Sequence, residues 1–382
     1  MKNKIISIMF CLLIGGTMLL NIFTPDTVIS FSERRPLAQK PEITNSLVFG
    51  GNMDTILETY ALDQFVGRDD FKTIKSLFEF KVLNKLDNNN IYVLNDYIFK
   101  QEYPLNNSSV INMAKKIDKL YDLYLKNCNV LLGIIPDKSE YIAKDSGHLS
   151  IDYTELNSLL LSNLKAPIKN ITDGSTNLTE GINYLDLKNL LSLDSYYRTD
   201  LHWRQEKLSN IVSSIGDIFG FSTNYDNNIP IGVIKDYSPF YGAYYGQASL
   251  KLPADTIRYV EDEFIKNAIV TDFDQAKKEP ATSVYNTNKL GSVDSYDLFF
   301  SGNSPLITIE NPLCTTNKEL IIFRDSFGSS IAPLLLEGYS KITLVDLRFI
   351  PTENLGMFVD FQDQDVLLLY SQGVINNSDM IK

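Results

Sequence analysis

A short, continuous apolar run, Val130–Ile135, closes at Pro136 and constrains the fold more than any other segment. A strand with one wet face alternates apolar and polar residues. A run without that alternation needs cover on both faces, which is the condition of a parallel strand between layers of helix. Further strands are expected at Ile91–Leu94, Ile182–Leu187, Glu319–Phe323, Ile342–Leu347 and Val366–Tyr370. Asn88–Asn90 reads as the turn before the first of these, and Asn95-Asp96 as a hairpin turn after it. Helical spacing recurs over Asn52–Leu83, over Ile111–Lys126, along Leu208, Ile211, Val212, Ile215 and Ile218, and near Ile331–Leu336. Residues 225–305 are rich in Gly, Tyr and Asn and read as long loops with short antiparallel strands. Strands alternating with helices predict an α/β layered domain. With 44% apolar and 21% charged residues, the 382-residue chain has ample material for a core, so wholesale disorder is excluded.

The N-terminus has a different character. Lys2 and Lys4 precede an uncharged stretch from Ile5 to Phe23, long enough as a helix to span the ~30 Å hydrocarbon layer of a bilayer. Positive charge in front, with none immediately behind, predicts a short N-terminus inside and the rest outside the cytoplasmic membrane. No A-x-A-like cleavage site follows, which favours a retained, single-pass anchor over a removed signal peptide. The expected organisation is an anchor at 1–23, an extracytoplasmic stalk or extended wrap at 24–50 carrying Pro25, Pro36 and Pro41, and a catalytic domain at 51–382.

Charge and scarcity narrow the chemistry. A formal net charge of −12 argues against nucleic acid, because no excess of Lys and Arg is available to neutralise phosphates. Cys11, Cys128 and Cys314 are far apart and form no CxxC pair, so neither a structural metal site nor a disulfide framework is expected. No cofactor is called for. The only histidines are His148 and His202, so any imidazole chemistry rests on one of them.

Two segments carry that chemistry. In Leu320–Gly328 a buried strand runs into a turn and then a helix, so Ser326 falls beyond the carboxyl end of a strand, where open α/β sheets bind ligands. Gly328 would let the chain approach a ligand closely. The alternative is that Asp325 or Ser326 simply caps the helix. The second segment is Tyr196–Trp203. A serine hydroxyl needs a base to take its proton, and the base needs a carboxylate to fix its tautomer. Asp200 and His202, two apart beside the chain's one Trp, are spaced to share a face. Here too a plain helix cap with His202 packed behind it remains open. His148, within Asp145–His148, reads as a polar surface turn.

Thr199-Asp200-Leu201-His202-Trp203 together with Arg324-Asp325-Ser326-Phe327-Gly328 resembles the DHHW family of surface proteins, relatives of the alginate O-acetyltransferases AlgJ and AlgX in the SGNH-hydrolase-like group. The likeness extends to Arg34–Pro41, Asp63-Gln64-Phe65 with Arg68, Pro136-Asp137-Lys138, Phe240-Tyr241-Gly242, Ser301-Gly302-Asn303 and Val345–Arg348. The D-x-H element precedes the serine, an order unlike most SGNH esterases. The resemblance implies a three-layer α/β/α sandwich with a mostly parallel sheet, and a membrane-tethered enzyme that moves acetyl onto an exopolysaccharide or cell-wall polysaccharide. Ser326 would be the nucleophile, His202 the base and Asp200 its orienting acid. Arg348, Asn303, Tyr197 and Arg198 are weaker candidates for oxyanion or substrate contacts. A membrane-bound O-acyltransferase would supply the acetyl group. Leu201 replaces the first His of the family's motif, and Arg324 stands where many SGNH proteins have Gly.

Two other readings fit the same residues. One is an acetyl esterase that uses water as acceptor. The other is a non-catalytic glycan-binding scaffold, with Tyr237, Phe240, Tyr241, Tyr244 and Tyr245 stacking on sugar rings.

Overall fold

A computed structural model describes residues 2–44, 49–171, 178–222, 225–226, 229–230 and 232–382. Parts of two expectations, the 24–50 segment at 45–48 and the 225–305 segment at 227–228 and 231, lie outside the described residues.

The apolar runs do form strands buried on both faces. Eight strands make the main sheet: β1 Asn129–Ile135, β2 Ile168–Asn170, β3 Ile182–Asp186, β4 Ile269–Asp272, β5 Leu306–Glu310, β6 Glu319–Arg324, β7 Lys341–Val345 and β8 Asp365–Ser371. Their order is β4-β5-β7-β6-β8-β1-β3-β2. From β7 through to β2 every pairing is parallel; β5 runs antiparallel to both of its neighbours. This is an α/β fold with a mostly parallel sheet. Strand β6 lies inside it, with Leu320–Arg324 in register with Asp365–Leu369 on one side and Glu319–Phe323 with Lys341–Val345 on the other.

Strand periodicity splits the core in two. Leu131, Leu320, Ile322, Leu344, Leu367 and Leu369 face one cluster, which includes Ile211, Val212 and Ile215 of the helix Ser209–Phe219. Val130, Leu132, Ile321, Phe323, Val366 and Leu368 face the other, with Val110, Met113 and Ile117 of the helix Asn107–Leu120 and Leu156 and Leu160 of the helix Tyr153–Asn163. Each fully buried Leu or Ile contributes about 1.5–3 kcal/mol of burial free energy, so the sheet's position is determined many times over.

Outside the sheet the details depart from local expectation. Asn52–Leu83 folds as two helices, Met53–Asp63 and Arg68–Leu77, split at Gly67, with a π turn at Phe78–Val82. Phe71, Ile74, Phe78 and Val82 of this stretch stay exposed and belong to neither core. The hairpin Ile91–Leu94/Tyr97–Lys100 turns at Asn95-Asp96, both at positive φ as the turn chemistry requires. Within 225–305 the strands pair antiparallel, Val233–Phe240 with Asp255–Glu261 and β4 with β5 just beyond, and the helices Ala243–Ala248 and Glu263–Asn267 lie between them. Lys2–Phe23 is one helix, long and apolar enough to cross a membrane, a property shared by anchors and signal sequences.

The segment after it is a wrap, not a free stalk. Ile29-Ser30 and Arg35-Pro36 pair as a small hairpin. Arg35 donates to Asp63 at 2.8 and 2.5 Å, and Asp63 also accepts the Ala38 N–H at 2.8 Å. Glu33 accepts from Arg68 at 2.6 Å and Lys72 at 2.7 Å. Glu33 and Arg35 on the wrap, and Asp63, Arg68 and Lys72 on the helices, are thus the two halves of one ion network.

Candidate active site

Ser326 stands just past the carboxyl end of β6, half-buried in the turn that leads into the helical stretch Gly328–Gly338. Asp325 holds this turn. Its two oxygens accept the N–H of Phe327 at 3.0 Å and that of Ser371, at the end of β8, at 2.8 Å. Asp325 therefore fixes the turn ahead of the helix, which leaves the Ser326 hydroxyl free for another partner. Gly328 serves a purpose other than ligand approach: a Cβ there would lie 2.5 Å from the Cβ of Arg324, so glycine makes room for the arginine stem.

The partner of Ser326 is His202. Its Nε2 lies 2.7 Å from Ser326 Oγ, and its Nδ1 lies 2.6 Å from Asp200 Oδ1. Asp200 Oδ1 also accepts the His202 N–H at 3.0 Å, and Oδ2 accepts the Ala243 N–H at 2.7 Å. The Asp200 carboxyl sits well below the usual range. Burial alone would raise it, but His202, Arg34 and the Ala243 N–H together favour the anion. An ionised carboxylate only accepts hydrogen bonds, so it fixes the imidazole proton on Nδ1 and leaves the Nε2 lone pair facing the serine hydroxyl. The ring is stacked face to face on Tyr296 at 3.8 Å and flanked by Phe327 at 4.9 Å. Two residues 124 positions apart thus meet at hydrogen-bonding distance.

No regular structure carries Asp200 and His202. Asp255 accepts the N–H groups of Arg198 at 3.0 Å and Thr199 at 2.7 Å, and the Thr199 hydroxyl at 2.6 Å. Lys138, fully buried, donates from Nζ to the carbonyls of Tyr197 at 3.0 Å, Arg198 at 3.2 Å and Asp200 at 2.7 Å. Burial lowers its ammonium to about 8, against the opposing pull of Asp137, Asp200 and Asp255. The Gly242 N–H reaches Thr199 Oγ1 at 2.8 Å, and a Cβ on Gly242 would lie 2.3 Å from that of Asp200, so only glycine fits. Trp203 closes the arrangement, donating to Phe327 O at 3.1 Å and Ser330 Oγ at 2.8 Å across to the serine turn.

The weaker candidates make other contacts. Tyr197 is buried in the core with its ring edge-on to Phe240 and offers no surface to a substrate. Arg198 points outward, 5.9 Å from the Tyr97 ring centroid. Arg348 is engaged by Asp346, its Nε donating at 2.9 Å and Nη2 at 2.6 Å. Asn303 is exposed and, among the described residues, makes no hydrogen bond to Ser326, His202 or Asp200. The Tyr-rich stretch divides: Phe240 and Tyr244 are core, while Tyr241 and Tyr245 pair outside at 4.4 Å. His148 is half-buried and stacked on Tyr92 at 3.9 Å. Tyr296, Lys138, Asp255 and Arg34 were not singled out for these contacts, because none has a local pattern that betrays its distant partner.

The fold is shared with solved proteins. A DHHW family protein from Eubacterium siraeum superposes with a TM-score of 0.58 at 16% identity, covering 77% of this chain and 94% of that one. PatB1 from Bacillus cereus gives 0.58 at 16% identity, over 75% of this chain and 97% of that one. PatB1 with a sulfonyl adduct gives 0.53 at 15% identity, over 75% and 97% respectively. No family model matches the chain, and no curated protein does. The chain thus shares the α/β fold of the DHHW family protein and of PatB1.

Proposed function

We propose that this chain is a membrane-tethered O-acetyltransferase that moves acetyl groups onto hydroxyls of an extracytoplasmic polysaccharide. The observation that supports it is the unbroken line of short contacts from Ser326 Oγ through His202 to Asp200, 2.7 and 2.6 Å long. In this reading His202 Nε2 takes the hydroxyl proton as Ser326 Oγ bonds to the acetyl carbonyl carbon of the donor. The tetrahedral adduct expels the donor's alkoxide, which leaves with the proton from His202. An acetyl ester on Ser326 remains. A sugar hydroxyl then enters, gives its proton to His202 and attacks the ester, and Ser326 departs with that proton. Asp200 keeps the imidazolium oriented and charge-balanced in both halves without itself being protonated. The helix Lys2–Phe23 would hold this chemistry at the membrane, beside an O-acyltransferase that delivers acetyl across the bilayer.

The test is Ser326→Ala in cells that make the protein and its polymer. Polymer acetylation should disappear while the variant still accumulates at the membrane, and unchanged acetylation would overturn the reading. A sulfonyl adduct accompanies one PatB1 structure. By the same logic a sulfonyl fluoride should label Ser326 of this chain, with labelling lost in His202→Ala.

A further inference from the structure

Arg34 belongs to the segment that follows the apolar helix, yet its guanidinium reaches the acid end of the relay. Nη1 donates to Asp294 Oδ2 at 2.8 Å, and Nη2 donates to the Tyr241 carbonyl at 2.9 Å. Nη2 also stands 3.5 Å from Asp200 Oδ2, the oxygen His202 does not use. The group sits 5.9 Å from the Phe240 ring centroid, and its side chain is only 14% exposed.

Independent features of the chain prepare this contact. Arg34 adopts φ +53, a left-handed conformation that non-glycine residues take only when their surroundings impose it. A Cβ on Gly246 would lie 1.3 Å from the Ser32 carbonyl oxygen, so the helix Ala243–Ala248 carries a glycine where the wrap crosses it. The neighbours of Arg34 on both sides, Glu33 and Arg35, are pinned by Arg68, Lys72 and Asp63. Backbone, helix and ion network therefore hold one guanidinium between the carboxylates of Asp294 and Asp200.

We propose that Arg34 is a positioning residue for acyl transfer, so that the segment following the apolar helix completes the active site. The proposal rests on the reading of Ser326, His202 and Asp200 given above. Asp200 Oδ1 takes two hydrogen bonds from His202, which leaves its second oxygen to be balanced by the Ala243 N–H and by a charge. Arg34 supplies that charge, keeps the carboxylate from rotating away from Nδ1, and covers it from water. Asp294 and the Tyr241 carbonyl hold the guanidinium in place while it does so. The wrap thereby links the chain's membrane-proximal end to its chemistry.

The experiment compares the full chain in detergent with Arg34→Gln, Arg34→Lys and Ser326→Ala, using 4-nitrophenyl acetate as acetyl donor. Arg34→Gln should lower kcat about tenfold or more, the equivalent of one pKa unit of charge stabilisation. KM should stay within about twofold, because Arg34 touches Asp200 and not the ester. Arg34→Lys should recover most of the lost rate, which a merely structural role would not require. Unchanged kcat in Arg34→Gln, or Arg34→Lys no better than Arg34→Gln, overturns this proposal alone. Turnover that persists in Ser326→Ala, or its absence in the unmodified chain, overturns the acyl-transfer reading beneath it.

Discussion

The two halves of the relay are held in place by different physics. Ser326 takes its position from β6, which pairs with β7 and β8 and is packed on both faces by buried aliphatic side chains. Asp200 and His202 sit on an irregular loop, held by a handful of hydrogen bonds, donated to Asp255 and received from Lys138, Gly242 and Ala243. Burial is non-directional and spread over many residues, so removing one side chain costs the serine half stability while its many neighbours keep the strand in place. Buried hydrogen bonds are directional and costly to leave unmade, so the loop half should lose geometry first. The half that must be aligned to a fraction of an ångström is the one built from few, specific contacts.

The widest separation between the halves should come from Asp200→Asn. The amide keeps the shape but no longer fixes the Nδ1 proton, and kcat on an acetyl ester should fall about 10⁴-fold with little change in unfolding midpoint. Ile322→Ala is its counterpart on the strand. It removes a fully buried side chain and should cost about 2–5 kcal/mol in urea unfolding. The surviving folded molecules should retain kcat within about twofold, since no hydrogen bond of the relay is touched. If Ile322→Ala instead silenced the folded enzyme, the division drawn here would fail.

Asp255→Asn probes a link between the two kinds of support. Its carboxylate accepts three hydrogen bonds from Arg198 and Thr199, the residues leading into Asp200. An amide cannot satisfy all three, and the loss of about 1–3 kcal/mol should show as a lower melting temperature. If the loop carries the proposed acyl transfer, kcat should drop as well, and a variant that only melts earlier would place Asp255 with the sheet.

The same contrast explains what could be read from the sequence. Val130–Ile135 and Leu320–Phe323 were legible as strands because a two-sided apolar run is a local pattern, complete within a few residues. His202 stands out because the chain has two histidines, and Ser326 because a continuous apolar run leads straight into Arg324-Asp325-Ser326-Phe327-Gly328. Tyr197 was misjudged because adjacency to the loop says nothing about side-chain direction, and its ring points into the core. Arg348 looked available because its partner Asp346, two residues away, was not weighed. Lys138, Tyr296 and Arg34 gain their meaning only from residues tens to hundreds of positions distant, and no periodicity encodes such a meeting. The wrap itself is half-legible: its charges and Asp63 and Arg68 all stand out in the sequence, but not that one set receives the other.

Acid should separate the polar supports from the apolar ones most gently of all. Burial alone would raise the Glu33 carboxyl, but Lys72 and Arg68 overcome it and hold the group at about 2, below its ordinary 4.5. Arg35 holds Asp63 at about 2, below 3.8, aided by the Ala38 N–H and opposed by burial. Both folded values lie below the unfolded ones, so the folded chain gains stability from these anions only above about pH 4.5, and loses it as pH falls toward 2. Leu320–Phe323 of strand β6 have no comparable dependence, because their buried side chains are apolar. Hydrogen exchange, corrected for intrinsic rates, should therefore show residues 29–38 losing protection between about pH 4.5 and 2 while residues 320–324 keep theirs. Simultaneous loss in both segments would mean that the wrap and the sheet unfold as one unit, and that the polar network adds nothing the apolar core does not already enforce.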